Sequence, residues 1–258
     1  MEGVGALERL APDAVAEAAA AIRRDGAAVV EQVWPAELID RLRAAVFAQH
    51  PEFSDPDLLD DYLGTKDVRY LAPVTVSAPI LATGVLTAPA LVGLCKALLG
   101  ADFVYEAFGI MMVYPGVKAQ KGHRDGGDLF PETGIDRILP PSALTIAIPL
   151  VDVDAELAPT GVAVGTHREI ADPEAVPLTP VELRRGDIAV WDFRVVHAGL
   201  ENRTDRTRPA LYITACRPFW IDHTNFQDTA RVRLGAEVGV IGALGPRFVR
   251  AQAVPLAT

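Results

Sequence analysis

The sequence predicts an all-β core of the jelly-roll or β-sandwich type with helices packed against it. After Gly100, short apolar runs recur, among them FVYEAFGIMMVY, ALTIAIPLVDV and ALYITACRPFW. Gly, Pro, Asp and Asn separate these runs, which is typical of antiparallel sheets. The first hundred residues instead carry apolar side chains at helical spacing.

The N-terminal part predicts three helices and one strand. The stretch APDAVAEAAAAIRRDG reads as a helix with Asp13 as its N-cap and a glycine stop. AAVVEQV is a strand candidate, and WPAELIDRLRAAVFAQH opens a second helix with Pro35 near its first turn. A third helix is expected over residues 88–99. Residues 51–87, rich in Asp, Pro, Thr and Ser, are expected to form loop with fragments of order.

The strand runs of the second half are FVYEAFGIMMVY, ALTIAIPLVDV, GVAV, DIAVWDFRVVH and ALYITACRPFW. The helical part alone is small and alanine-rich, so a single domain over 1–258 is expected. Its parts are a mainly helical flank (1–100), a jelly-roll core (101–220) and a C-terminal extension (221–258).

Composition narrows the function classes. The chain has 258 residues and a net charge of −10, which argues against binding along a nucleic-acid backbone. Cys95 and Cys216 are too few for a disulfide scaffold or a zinc–thiolate cluster, and they suit a reduced, cytoplasmic protein. The N-terminus has no signal-peptide pattern, and no apolar run reaches the roughly 18 residues of a membrane span. A small-molecule substrate is expected, and the oligomeric state stays open.

Two of the five histidines belong to a His-x-acid pattern: His123 with Asp125, and His167 with Glu169. Two histidines and one carboxylate on one face of the metal are the ligand set of non-haem iron(II) oxygenases. On an extended strand, residues i and i+2 point to the same face, so either pair could supply two ligands.

Spacing to His197 favours the first pair. His197 follows His123 by 74 positions but follows His167 by only 30. A jelly roll must place several strands between its ligand strands, and 30 positions leave too little room for them. His197 ends the run DIAVWDFRVVH, whose alternation puts four side chains on one inward face: Trp191, Phe193, Val195 and His197.

A candidate carboxylate anchor follows His197. Arg208 adjoins the run ALYIT, where it would share a face with Ala210 and Tyr212. A guanidinium there can hold a carboxylate through two parallel hydrogen bonds. Arg203 and Arg206 read as solvated turn residues.

These features together resemble a known family. HRD at His123, GTHRE at Gly165, GD at Gly186, HAGLEN from His197, and Arg208 eleven positions later are similar to the phytanoyl-CoA dioxygenase family, in particular to members that act on natural products. The resemblance is strong over about residues 100–220. It implies a double-stranded β-helix and a dioxygenase that uses Fe(II), 2-oxoglutarate and O2.

The resemblance also implies roles for residues. His123, Asp125 and His197 would be the catalytic metal ligands, and Arg208 would pair with the far carboxylate of 2-oxoglutarate. The reaction would convert 2-oxoglutarate to succinate and carbon dioxide while oxidising an unactivated C–H bond. Relatives that halogenate have Ala or Gly in place of Asp125, so its presence favours an oxygenase.

Two further cosubstrate contacts are expected. Gln120 is implied by the resemblance, although strand parity points it away from His123 unless a bulge at Gly122 intervenes. Gly199 stands where many relatives carry Ser or Thr to bind the far carboxylate. Another hydroxyl would have to replace it, with Thr145 as the candidate, unless nothing does.

The remaining candidates are weaker. Phe130 is expected to contact substrate, because it follows the ligand segment in a Gly- and Pro-rich loop. His167 is assigned to structure and His50 to a helix end. His223 is a loop residue or a substrate contact in a C-terminal lid.

Two other functions compete with the oxygenase. A non-redox metal enzyme, such as an isomerase or hydrolase on the same fold, would need the three ligands but not Arg208. A non-catalytic binding module would need none of them, so four intact residues count against it. Hydroxylation, desaturation, epimerisation and cyclisation stay open as outcomes.

Overall fold

The structure is a computed structural model that describes residues 6–54, 69–169, 172–222, 232–234 and 241–243. The described N-terminal residues contain four α-helices: α1 (Val15–Asp25), α2 (Ala36–Phe47), α3 (Ala78–Ala82) and α4 (Pro89–Leu99). Short 3-10 helices cover Pro51–Ser54, Val85–Thr87, Ile135–Arg137 and Thr166–Arg168. In the part of the chain described here, no helix has the length and apolar character needed to cross a bilayer.

The helix predictions hold, with one correction at the first N-cap. The N-cap of α1 is Ala14, and no side chain caps the helix, so the role expected for Asp13 is wrong. At the other end Gly26 adopts the left-handed conformation (φ +84°) that a C-terminal glycine permits, and its N–H donates to the carbonyl of Ile22. A side chain at Gly26 would also collide with Val195 and His167.

In the described residues, twelve strands form two sheets. They are β1 (Arg9–Leu10), β2 (Ala27–Val30), β3 (Arg69–Pro73), β4 (Val104–Val113), β5 (Ala143–Pro149), β6 (Thr160–Val162), β7 (Thr179–Val181), β8 (Ile188–Asp192), β9 (His197–Gly199), β10 (Arg208–Cys216), β11 (Val232–Leu234) and β12 (Ile241–Ala243). The large sheet has the order β1-β2-β8-β5-β10-β4-β11-β12, with β3 paired to β4, and the small sheet is β7-β6-β9. Two sheets around a central cavity are the jelly roll that the sequence predicts.

The central strands are buried on both faces, which explains their nearly continuous apolar sequence. On β4, Phe108, Ile110 and Met112 pack against the helices in the main apolar cluster. The alternate residues Ala107 and Gly109 face the cavity. The same alternation on β5 and β10 leaves small or polar side chains inside, so the interior keeps room for ligands.

The run DIAVWDFRVVH is not one strand. β8 ends at Asp192, the chain turns, and β9 starts at His197 in the other sheet. The continuous alternation expected from Trp191 to His197 is therefore wrong. Trp191, Phe193 and His197 line the cavity, but Val195 packs in an apolar cluster between the sheets.

Candidate active site

The cavity between the two sheets has a volume of about 130 Å³. Two histidines, an aspartate and two arginines are among the side chains that line it. Among the described residues, only His123, Asp125 and His197 form a group that could hold a metal ion, and their ligand atoms lie within 4.8 Å of one another. Two imidazole nitrogens and a carboxylate oxygen can together bind a divalent transition metal.

Backbone pairing brings these three residues together. His123 and His197 form an antiparallel bridge in which each N–H donates to the other's carbonyl at 2.9 Å. The N–H of Asp125 donates to the carbonyl of Phe193 at 3.1 Å, in the turn after β8. The break between β8 and β9 thus provides both the backbone acceptor for Asp125 and the strand that carries His197.

Both histidines are oriented by main-chain carbonyls. Nδ1 of His123 lies 3.0 Å from the carbonyl oxygen of Lys121, and Nδ1 of His197 lies 3.1 Å from that of Val195. A carbonyl only accepts hydrogen bonds, so each Nδ1 carries a proton and Nε2 is the ring nitrogen left to bind a metal ion. Such outer contacts fix tautomer and ring orientation in metal sites.

The Asp125 carboxylate is held from two sides. Its Oδ2 accepts hydrogen bonds from Oγ1 of Thr145 at 2.5 Å and from Nε1 of Trp191 at 3.1 Å. Its Oδ1 lies 3.3 Å from Nε2 of His197. Burial raises the pKa of Asp125, but the interactions with His197, Thr145 and Trp191 outweigh burial and lower it to about 2. The group is therefore a carboxylate at neutral pH.

Arg208 begins β10 and is only 3% exposed. Its Nη1 donates to the hydroxyl of Tyr212 at 3.1 Å, and that hydroxyl lies 3.3 Å from Oγ1 of Thr160. The Nε of Arg208 is buried without a hydrogen-bond acceptor among the described residues. Burial raises the pKa of Tyr212, yet the charge of Arg208 and the hydrogen bonds with Thr160 and Arg208 lower it overall.

Arg69 is a second guanidinium in this cavity, and the sequence interpretation missed it. It begins β3, within a segment expected to be mostly loop. Its Nη2 donates to three carbonyl oxygens: those of Lys118 at 3.0 Å, Gly199 at 2.8 Å and Leu200 at 2.5 Å. In the run VRYLAP, Arg69 and Leu71 are two positions apart and would share one face of an extended strand. This spacing is the sequence pattern that could have indicated β3.

Gln120 lies in the cavity wall despite the strand-parity objection. The segment before His123 is irregular rather than a strand, so alternation does not apply to it. Oε1 of Gln120 accepts a hydrogen bond from the N–H of Gly199 at 2.9 Å, and the N–H of Gln120 donates to the Gly199 carbonyl at 2.9 Å. The side chain is thereby held beside Arg69.

Thr145 and Phe130 differ from their expected surroundings. Thr145 lines the cavity, but its hydroxyl donates to Asp125. Phe130 is 53% exposed and is not among the residues that line the cavity. Trp191, Phe193 and Tyr212 are the Trp, Phe and Tyr side chains that line the cavity, and the ring of Phe193 packs edge-on against Trp220 at a centroid distance of 5.0 Å.

The other histidines lie outside this group. His167 is buried in a 3-10 helix with Nε2 3.2 Å from the carbonyl oxygen of Arg23, which fits the structural role expected for it. His50 contacts Glu52 and the carbonyl of Pro73 after α2. His223 lies outside the described residues.

Arg203 and Arg206 are exposed, as expected. Both make surface ion pairs, Arg203 with Glu156 and Glu201 and Arg206 with Asp154. Neither belongs to the cavity wall.

Comparison with known proteins supports the same family. The family model Phytanoyl-CoA dioxygenase (PhyH) matches residues 22–210. A curated relative, "Dioxygenase olcK" of Penicillium canescens, is 25% identical over 207 residues, which cover 75% of this chain and 67% of that protein.

Two solved structures share the fold. One is the epimerase SnoN from nogalamycin biosynthesis, in complex with Fe3+, alpha ketoglutarate and nogalamycin RO; it is 21% identical, with a TM-score of 0.62 over 92% of this chain and 98% of that one. The other is the carbocyclase SnoK from the same biosynthesis, 20% identical, with a TM-score of 0.53 over 78% of this chain and 83% of that one. With the family match over residues 22–210, the chain belongs to the phytanoyl-CoA dioxygenase family of iron- and 2-oxoglutarate-dependent dioxygenases.

Proposed function

We propose that this protein is a non-haem Fe(II)/2-oxoglutarate oxygenase that oxidises a C–H bond of a small-molecule metabolite. His123, Asp125 and His197 hold the iron, and Arg208 binds the far carboxylate of 2-oxoglutarate. The observation that carries the proposal is the group of two imidazoles and one carboxylate with ligand atoms within 4.8 Å of one another, in one cavity with a buried arginine.

The donor set fits iron(II). Two imidazole nitrogens and one carboxylate oxygen are the ligand set typical of such iron enzymes, and they would leave positions on the ion for cosubstrate and oxygen. With 2-oxoglutarate and oxygen bound, iron supplies an oxidant strong enough for an unactivated C–H bond, while 2-oxoglutarate becomes succinate and carbon dioxide. The carboxylate of Asp125 takes the place that a halide would need, which supports an oxygenase rather than a halogenase.

The protein's own residues orient and enclose the reactants. The carbonyls of Lys121 and Val195 engage Nδ1 of the two histidines and so leave each Nε2 as the nitrogen that would bind the metal. Arg208 and Tyr212 supply a positive, hydrogen-bonding end for a dicarboxylate. Phe193 supplies an apolar part of the cavity wall, and its ring is held in place by edge-on packing against Trp220.

A natural product is the proposed substrate class, since the two structural neighbours, SnoN and SnoK, are enzymes of nogalamycin biosynthesis. Those neighbours are an epimerase and a carbocyclase, so epimerisation and cyclisation stand beside hydroxylation and desaturation as outcomes. The single domain is proposed to act in the cytoplasm, with neither nucleic acid nor a membrane as partner. The net charge of −10 supports the first exclusion.

The test is an anaerobic titration of the Fe(II)-loaded protein with 2-oxoglutarate, read by the visible metal-to-ligand charge-transfer band, followed by admission of oxygen and assay of succinate. Asp125→Ala should lose the band and the succinate. Glu169→Ala is the matched control, because Glu169 is the acid of the rival His-x-acid pattern and is exposed outside the site.

If wild type and Asp125→Ala behave alike and neither forms succinate, the proposed function is wrong. If Arg208→Ala turns over a substrate at the wild-type rate, the non-redox alternative is favoured instead.

A further inference from the structure

The two cavity arginines are placed in register by the large sheet. Arg208 on β10 and Arg69 on β3 both pair with Val113 of β4, from its opposite sides. Cross-strand partners share a face of the sheet, and neighbouring strands lie about 4.8 Å apart. The two side chains therefore leave the same inner face from Cα atoms on the order of 10 Å apart, and both reach the cavity.

Neither arginine has a carboxylate partner among the residues described in the structure. Arg69 uses Nη2 for three main-chain carbonyls, whereas its Nη1 and Nε make no hydrogen bond within that part of the chain. Burial and the nearby charge of Arg208 lower the pKa of Arg69 to about 10. Two like charges that line one cavity repel each other unless an anion lies between them.

Gly199 makes this arrangement possible. A Cβ atom at Gly199 would lie 2.5 Å from Nη1 of Arg69 and 2.7 Å from Oε1 of Gln120. Any larger residue would have to displace the Arg69 guanidinium, so the space that a side chain would fill at this position is taken by Arg69 instead.

We propose that Arg69 is a second binding residue for the far carboxylate of 2-oxoglutarate, acting with Arg208, and that Gly199 provides its space. This inference rests on the proposed function, because it takes 2-oxoglutarate as the ligand. The oxo-acid end is held at the metal, which leaves the far carboxylate for the arginine end of the cavity. A carboxylate has two oxygens and about four acceptor positions, so it can accept from two guanidinium groups.

The test compares two ligands on the Fe(II)-loaded protein without oxygen, each titrated by its charge-transfer band. One is 2-oxoglutarate; the other is 2-oxopentanoate, which has the same oxo-acid end but a methyl group in place of the far carboxylate. Wild type should bind 2-oxoglutarate more tightly. Arg69→Gln should weaken 2-oxoglutarate by roughly tenfold to a hundredfold, the loss of one charge-assisted hydrogen-bonded contact, and leave 2-oxopentanoate unchanged.

Three further variants sharpen the result. Arg203→Gln, at an exposed arginine, is the matched control and should leave both affinities unchanged. Gly199→Ala keeps Arg69 but displaces it, so it should also weaken 2-oxoglutarate selectively. Because that side chain would also displace Gln120, the variant that decides the matter if Arg69→Gln does not fold is Arg69→Lys, which keeps the charge, loses the planar guanidinium and should weaken 2-oxoglutarate selectively but less than Arg69→Gln.

The possible results distinguish failure of the proposed function from failure of the inference about Arg69. If wild type binds neither ligand, the proposed function fails and this inference fails with it. If wild type binds 2-oxoglutarate and the Arg69 and Gly199 variants bind it as tightly, or lose both ligands equally, then Arg69 does not contact the far carboxylate while the proposed function stands.

Discussion

Thr145→Val tests whether the hydroxyl of Thr145 serves the metal centre through Asp125. Valine has nearly the same shape as threonine but cannot donate the 2.5 Å hydrogen bond to Oδ2 of Asp125. A hydrogen bond to a charged group contributes about 1.5–3 kcal/mol, and the remaining donor, Nε1 of Trp191, is longer at 3.1 Å. We therefore expect Fe(II) affinity to fall roughly tenfold to a hundredfold, in the usual range for outer contacts of metal ligands.

The assay is calorimetric titration of the apo-protein with Fe(II) under anaerobic conditions. Thr214→Val is the matched control, because Thr214 lies directly opposite Thr145 in the β10–β5 register and lines the same cavity. No described hydrogen bond joins Thr214 to Asp125. The control should bind Fe(II) as wild type does.

The same variant separates this role from the direct cosubstrate contact predicted from sequence. At saturating Fe(II), Thr145→Val should bind 2-oxoglutarate with wild-type affinity. Unchanged Fe(II) affinity, or an equal loss in Thr214→Val, would refute the reasoning. Selective loss of 2-oxoglutarate affinity would instead assign Thr145 to the cosubstrate.

Three further outcomes are expected. Gly26→Ala should lower the free energy of unfolding by more than about 1 kcal/mol, seen as a lower Tm, because alanine is strained at φ +84° and collides with its neighbours. Arg194→Met should cost about 3–5 kcal/mol in denaturant unfolding, because it leaves the buried Asp192 without its ion pair, and Asp192→Asn in the same chain should restore part of the loss. The positive charge of Arg208 favours the phenolate of Tyr212, so a spectrophotometric pH titration should show one tyrosinate signal below the ordinary tyrosine pKa. Tyr212→Phe should remove this signal, and Arg208→Gln should move it to higher pH.

The parts of the fold that depend on local pattern could be read from the sequence. The helix ending at Gly26 and the helix over Pro89–Leu99 have clear periodicity and stop signals. The 74-residue spacing from His123 to His197 leaves room for β5, β6, β7 and β8, which lie between them in the structure. The spacing to His197 therefore favoured His123 of the HRD motif over His167 of the HRE motif as the candidate metal ligand.

Features that depend on tertiary contacts could not be read in this way. The turn between Asp192 and His197 is hidden because its residues are buried, and its two charged side chains, Asp192 and Arg194, pair with each other instead of marking an exposed loop. Arg69 reaches the cavity only through pairing of β3 with β4, about forty positions further along the chain. The lack of a side chain at Gly199 was visible, but its cause, a guanidinium from a distant strand, was not.

The reciprocal backbone bridge between His123 and His197 has a consequence for which metal the protein carries. The bridge and the carbonyl contacts to both imidazoles build the proposed ligand set from the chain alone, so little ordering entropy opposes the entry of an ion. A prebuilt set of two imidazoles and a carboxylate binds copper, nickel or zinc at least as tightly as iron, following the general order of divalent affinities. Iron loading is then decided by the supply of free metals around the folding chain, and mismetallation is the characteristic way in which this enzyme would lose activity while remaining fully folded.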